Sequence, residues 1–181
     1  MRKQTKLVAV LSTAALLAIG ASMTSFAATG WAEEDGTWVY YNRDGERATD
    51  QWKKSGNNWY WLDSDGEMAI DQLIEDGDNY YYVDINGVMA ANQWVAIDNE
   101  DAGQDNEPDH YWYYFQANGK ALKNGDNAKV ALKTINGKKY AFDDEGKMLY
   151  GWVSEDNAER VDDTDGDGFK EGTYYFGGED D

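Results

Sequence analysis

A 21-residue period runs from Gly30 to Asn92 and limits the fold more tightly than any other feature of the chain. Three consecutive segments, GWAEEDGTWVYYNRDGERATD, QWKKSGNNWYWLDSDGEMAID and QLIEDGDNYYYVDINGVMAAN, align without a gap. Trp38, Trp59 and Tyr80 share one column, Tyr40, Trp61 and Tyr82 a second, and Gly45, Gly66 and Gly87 a third. Self-similarity at this interval is the signature of a repeat architecture, in which each unit is too small to bury its apolar face alone and uses its neighbours to do so.

A fourth unit, QWVAIDNEDAGQDNEPDHYWYYFQANGKALKN, keeps Trp94, Trp112, Tyr114 and Gly119 around an acidic insertion near 98–109. A fifth, TINGKKYAFDDEGKMLY, ends at Tyr150. The sixth opens with Gly151-Trp152, carries a second acidic insertion near 155–171 and reaches Tyr174-Tyr175-Phe176 without a second half. Residues 28–181 thus read as an array of about six repeats, the last incomplete. Within a unit, Trp59-Tyr60-Trp61-Leu62 alternates large rings as a short strand does, and Lys54-Ser55-Gly56-Asn57 and Ser64-Asp65-Gly66 are turn signals. Two strands around the first turn make a hairpin, which is marginal by itself and gains stability by stacking. The expected fold is all-β, a repetitive β-hairpin solenoid, with both insertions lengthening hairpin tips.

The first residues belong to a different kind of segment. Arg2, Lys3 and Lys6 precede an apolar run from Leu7 to Gly20, and Ser25-Phe26-Ala27 supplies small residues for a peptidase, so residues 1–27 read as a signal peptide. Export follows, and a location in the cell wall without a membrane partner once the leader is removed. With three of the 16 basic residues lost in the leader, 13 remain against 35 acids, a net charge of −22. Such a surface repels phosphate backbones, which excludes nucleic acid as a partner. The absence of cysteine excludes a disulfide scaffold.

The remaining chemistry is sparse. His110 is the one histidine, so a zinc site or a Ser/His/Asp triad lacks parts. A carboxylate pair for glycoside hydrolysis needs a cleft that stacked hairpins offer poorly, and the chain reads as a non-enzyme. Asp163, Asp165 and Asp167 space three carboxylates as the start of an EF-hand-like loop does, which makes calcium the candidate ion; Tyr174 stands where the twelfth-position Glu belongs. No other cofactor is expected. Eight tryptophans and 14% aromatic residues exceed what covering hairpins of this size requires, which leaves ring faces for a ligand. A quaternary ammonium is held by such faces, and a neutral sugar stacks on them as well.

The repeated unit itself, Gly or Gln before Trp, then a Trp-led aromatic cluster, then Asp/Asn-x-x-Gly-x-Met-Ala, resembles the choline-binding or cell-wall-binding repeat of Gram-positive bacteria. INGKKYAFDDEGKMLYGW is similar to the sister repeats of glucan-binding domains and of clostridial toxin receptor-binding regions. The resemblance implies a left-handed stack of hairpins with aromatic boxes shared by neighbours. Carried onto this chain, it places Trp31 and Trp38 with Trp61 in a first box and Trp52 and Trp59 with Tyr82 in a second, floored by Met68 and Met89. Leu73 occupies the leading-Trp position of the third. Trp94 and Trp112 begin a fourth, with Ala141 at the position that would close it. The implied function is a secreted, non-catalytic module that recognises choline-type groups of teichoic acid or wall glycan. The alternatives are the anchoring fragment of a longer wall hydrolase and a glucan- or host-glycan-binding adhesin.

Overall fold

The computed structural model describes residues 29–104, 107–127, 129–161 and 173–178. The leader and the candidate calcium ligands Asp163, Asp165 and Asp167 lie outside them. Among the described residues there is no helix; twelve strands form six two-stranded antiparallel sheets, each a hairpin of consecutive strands. The hairpins are β1 (Gly30–Glu34) with β2 (Thr37–Tyr41), β3 (Gln51–Ser55) with β4 (Asn58–Leu62), and β5 (Gln72–Asp76) with β6 (Asn79–Val83). They continue with β7 (Gln93–Asp98) and β8 (His110–Phe115), β9 (Lys133–Ile135) and β10 (Lys138–Tyr140), and β11 (Trp152–Ser154) and β12 (Thr173–Tyr175). The chain is all-β, a repetitive β-hairpin solenoid.

Tip chemistry fixes the register. Asp35-Gly36 and Asn136-Gly137 both take positive φ, as a type I′ loop requires, and their asparagine or aspartate tolerates that region better than other L residues. A two-residue tip at Gly56-Asn57 pairs Trp52 with Trp61 and Lys54 with Trp59 across the second hairpin. In the fourth hairpin the acidic insertion extends the tip beyond the Asp98–His110 pair, where Tyr111 donates to the Glu107 carboxylate and Asn99 donates to the Pro108 carbonyl.

Successive hairpins are joined by the tail that follows each second strand. Asp63 bends the chain back by accepting from the Asp65 and Glu67 amides at 2.9 Å each, and Asp84 and Asp143 do the same in their units. The next residues run between two hairpins. Met68 N–H donates to the Trp38 carbonyl of the preceding hairpin at 2.8 Å, whereas Ala69 N–H donates to Trp61 of its own at 3.0 Å. The alternation recurs with Met89 to Trp59 and Ala90 to Tyr82, Ala121 to Tyr80 and Leu122 to Tyr114, and Met148 to Trp112 and Leu149 to Ala141. Backbone groups of otherwise separate sheets are thereby satisfied, which is the condition for burying them. Val39, Leu62, Val83, Phe115, Phe142 and Val153 are fully buried along the stack. Buried Ala48, Ala69 and Ala90 give the tails room to pass.

Glycine closes the spacing between units. At Gly119 φ is +81° and an added Cβ would stand 2.4 Å from Met89 Sδ; at Gly87 the Met68 methyl would be 2.9 Å away. The long thioether side chain of one repeat therefore lies over the bare turn of the next.

Candidate functional site

Three of the hairpin junctions repeat one ring geometry. Trp31 meets its cross-strand partner Tyr40 at 5.4 Å between centroids and Tyr60 of the next hairpin at 5.4 Å. Trp52 meets Trp61 at 5.2 Å and Tyr81 at 5.0 Å. Trp94 meets Tyr114 at 5.2 Å and Tyr140 at 4.9 Å. The interplanar angles run from 58° to 83°, edge-to-face or tilted arrangements that aromatic quadrupoles favour.

Each leading Trp, together with the second Trp of its hairpin and the tail Met of the next, forms a box. Trp31, Trp38, Tyr60 and Met68 line the first, where the side chains close on one another and leave no room for a water-sized group. Trp52, Trp59, Tyr81 and Met89 line the second, a cleft of about 550 Å³ whose rim also includes Asn57, Asn58, Ala91, Ala117 and Asn118. Trp94, Trp112, Tyr140 and Met148 share one apolar cluster at the fourth junction. Trp59 is 39% exposed while Tyr81 is 9% exposed, so the second box has a fixed inner wall and an open outer ring.

Two expected closing rings are corrected. Trp61 does not face the first box, and Tyr82 does not face the second. Side chains two apart on a strand share a face, so Trp59 and Trp61 both point forward while Tyr60, between them, points back to the preceding hairpin. Trp61 is 8% exposed and packs on Trp52 beside it. Tyr82 stacks with Phe115 at 6.1 Å and donates its hydroxyl to the Asp71 carboxylate. The same one-residue parity corrects the fourth junction. Ala141, fully buried, is no gap in the box, because Tyr140 is the residue that turns toward Trp94.

The third junction is filled differently. Leu73 and Tyr80 pack around buried Tyr113, Ala121 stands in the tail-Met position, and the Lys123 ammonium lies 5.9 Å from the Tyr80 ring centroid. An internal cation thus lies over a ring here, as the Lys54 ammonium does 5.7 Å from the Trp59 ring centroid in the second hairpin. At the fifth, Lys139 stands opposite Thr134 in the column that Trp38, Trp59, Tyr80 and Trp112 fill in the first four hairpins.

Electrostatics differ between boxes. The Trp52 indole N–H donates to the Asp76 carboxylate at 3.2 Å, which puts an anion at the back of the second box. Trp31 Nε1 is buried without an acceptor among the described residues. Burial, reinforced by Asp76, raises the Tyr81 phenol pKa, and burial with the Asp71 hydrogen bond pushes Tyr82 up to about 12, so both rings are neutral at physiological pH. Among the described residues no cluster of three or more His, Asp or Glu side chains is arranged to hold a metal.

The sequence matches the choline-binding repeat model over residues 28–69 and 48–94 and a cell wall binding repeat model over 111–121. The choline-binding domain of Spr1274 from Streptococcus pneumoniae is 32% identical, and the match covers 52% of this chain and 95% of that domain, with a TM-score of 0.39. This chain belongs to the choline-binding repeat family. CbpJ from Streptococcus pneumoniae, 25% identical with a TM-score of 0.50, extends the likeness over 83% of this chain and 40% of its own. Choline-binding protein F from the same species is 25% identical over 72% of this chain and 38% of its own, with a TM-score of 0.48. The array thus spans well under half the length of those two proteins. No curated protein sequence matches the chain.

Proposed function

We propose that this choline-binding repeat protein is an exported, non-catalytic module that grips choline groups on a wall polymer, with teichoic acid as the carrier, through the boxes at the first, second and fourth junctions, the first of them closed until its rings part. The observation that carries the reading is the repeated trio of a leading Trp, a second Trp and a Tyr from the next hairpin over a Met floor. A trimethylammonium offers no hydrogen bond, and its attraction is to ring faces in a desolvated recess.

Each ring contributes about 0.5–2 kcal/mol, so three give roughly 2–6 kcal/mol and a dissociation constant near the millimolar range. One box is a weak anchor. Several on one stack engage a polymer together, and effective concentration multiplies affinity by about 10²–10⁴ without a new contact. The acidic surface favours a cationic group over a bare anionic polymer.

Titrating choline into the protein tests this. Tryptophan fluorescence is expected to change and the melting temperature to rise, with Trp59→Ala weakening both responses. A fluorescence spectrum and melting curve indifferent to choline at concentrations far above the millimolar range would reject the reading.

A further inference from the structure

The boxes share their ring types, but what stands behind the leading Trp differs from one to the next. In the second, the Trp52 indole N–H donates to Asp76 Oδ2 at 3.2 Å. Asp76 is the last strand residue before the tip of the third hairpin, where it pairs with Asn79. It lies two residues beyond Ile74, the cross-strand partner of Tyr81, so Asp76 and Tyr81 both turn back onto the second hairpin. The carboxylate is near enough to the Tyr81 phenol to help raise its pKa. One anion therefore stands behind two rings of this box.

The matching position in the second hairpin, paired with Asn58, is Ser55, and in the fifth, paired with Lys138, it is Ile135. Trp31 Nε1, on the junction that Ser55 faces, is buried without an acceptor among the described residues. The Ile135 side chain has no acceptor to offer Trp94. Of these three positions, only the one behind the second box carries a carboxylate.

A carboxylate bonded to the indole edge adds a full negative charge to the attraction that the ring face exerts on a cation. An ammonium within about 6 Å of the Trp52 ring centroid stays within roughly 10 Å of Asp76, close to one screening length in physiological salt. The Lys54 ammonium, 5.7 Å from the Trp59 centroid, acts in the opposite sense. It does so at the ring that is 39% exposed, where water screens charge more strongly.

Building on the cation-box reading, we propose that Asp76 is a positioning residue that sets specificity: bonded to Trp52, it makes the second box choose a cation over a neutral group of the same shape, more sharply than the fourth box does.

Two probes on the full chain test this, choline and 3,3-dimethylbutan-1-ol, in which carbon replaces the charged nitrogen. The indole N–H signals of Trp52 and Trp94 in NMR titrations follow the second and fourth boxes separately. Asp76→Asn keeps an acceptor for the indole N–H and removes the charge. Choline affinity read at Trp52 is expected to fall about fivefold, the worth of one partly screened charge at that range. The neutral alcohol at Trp52, and choline at Trp94, should each stay within about twofold. An unchanged choline affinity at Trp52 overturns the proposal. Equal loss of choline and the alcohol also overturns it, because Asp76 then only holds the ring in place. An equal fall at Trp94 does the same by assigning the effect to the net charge of the chain. In all three cases the cation box stands, whereas choline that moves neither signal in the unaltered protein removes box and proposal together.

Discussion

Tyr140 stands 4.9 Å from Trp94, the same relation that Tyr60 has to Trp31 at 5.4 Å and Tyr81 to Trp52 at 5.0 Å. A junction whose following hairpin carries Lys-Lys-Tyr-Ala-Phe in place of a Trp-rich strand is therefore still closed by a ring. Tyr140→Ala is expected to weaken choline binding at the fourth box by the worth of one ring, about 0.5–2 kcal/mol, whereas Ala141→Ser should leave it within about twofold. Competition titrations with both variants check this.

Trp59 and Trp61 sit two residues apart and should behave oppositely. Removing the 39% exposed Trp59 should cost little stability and much of the choline response. Trp61→Ala empties a core site packed on Trp52 and should destabilise by about 3–5 kcal/mol, with Trp61→Phe recovering a good part of it. Denaturant unfolding beside choline titration distinguishes a recognition residue from a packing residue.

Gly119→Ala forces a methyl against Met89 Sδ in a backbone region that L residues avoid. A loss of about 2–4 kcal/mol is expected from overpacking and backbone strain together. Shortening the neighbour in the double variant Gly119→Ala, Met89→Ala should relieve the clash and leave the backbone term, so the two changes should be non-additive. A double-mutant cycle measures the coupling.

Alkaline pH should loosen the stack. Tyr82 and Tyr111 are each pushed up to about 12 from an ordinary value of 10.0, in both cases by burial first and by a bond to a carboxylate second. A phenol whose folded pKa exceeds its unfolded value contributes its stability fully below pH 10.0 and loses it as pH rises toward about 12. The melting temperature should fall across that window. Tyr82→Phe and Tyr111→Phe should flatten the fall, and a wild-type curve unaffected by pH there would contradict the assignment.

Much of the fold was legible because Gly45, Gly66 and Gly87 and the aromatic columns repeat at a constant spacing, and a unit that small has to stack. The box residues were legible only by column. Trp59, Tyr60 and Trp61 are chemically alike, and which of them looks back depends on strand parity, a one-residue matter that composition does not encode. The signal was nevertheless present. The two-residue tip at Gly56-Asn57 sets Trp61 beside Trp52 on one face of the sheet, and Trp52 looks forward to Tyr81, so Trp61 cannot also look back to Trp31. The Asn118 contribution to the second box was out of reach of any such count, because it comes from a turn two repeats away whose position depends on how the units rotate in space.

The bond from Met68 N–H to the Trp38 carbonyl, and its three counterparts, make every recess the joint property of two units. An array of this design has one fewer junction than it has hairpins, and a junction becomes a recess only where a leading Trp, a second Trp and the Tyr of the next hairpin come together. Gene duplication of a single unit adds a whole recess, and loss of one re-pairs the flanking units: excising the third would set Trp52 and Trp59 against Tyr113 and Ala121, giving a recess without its thioether base.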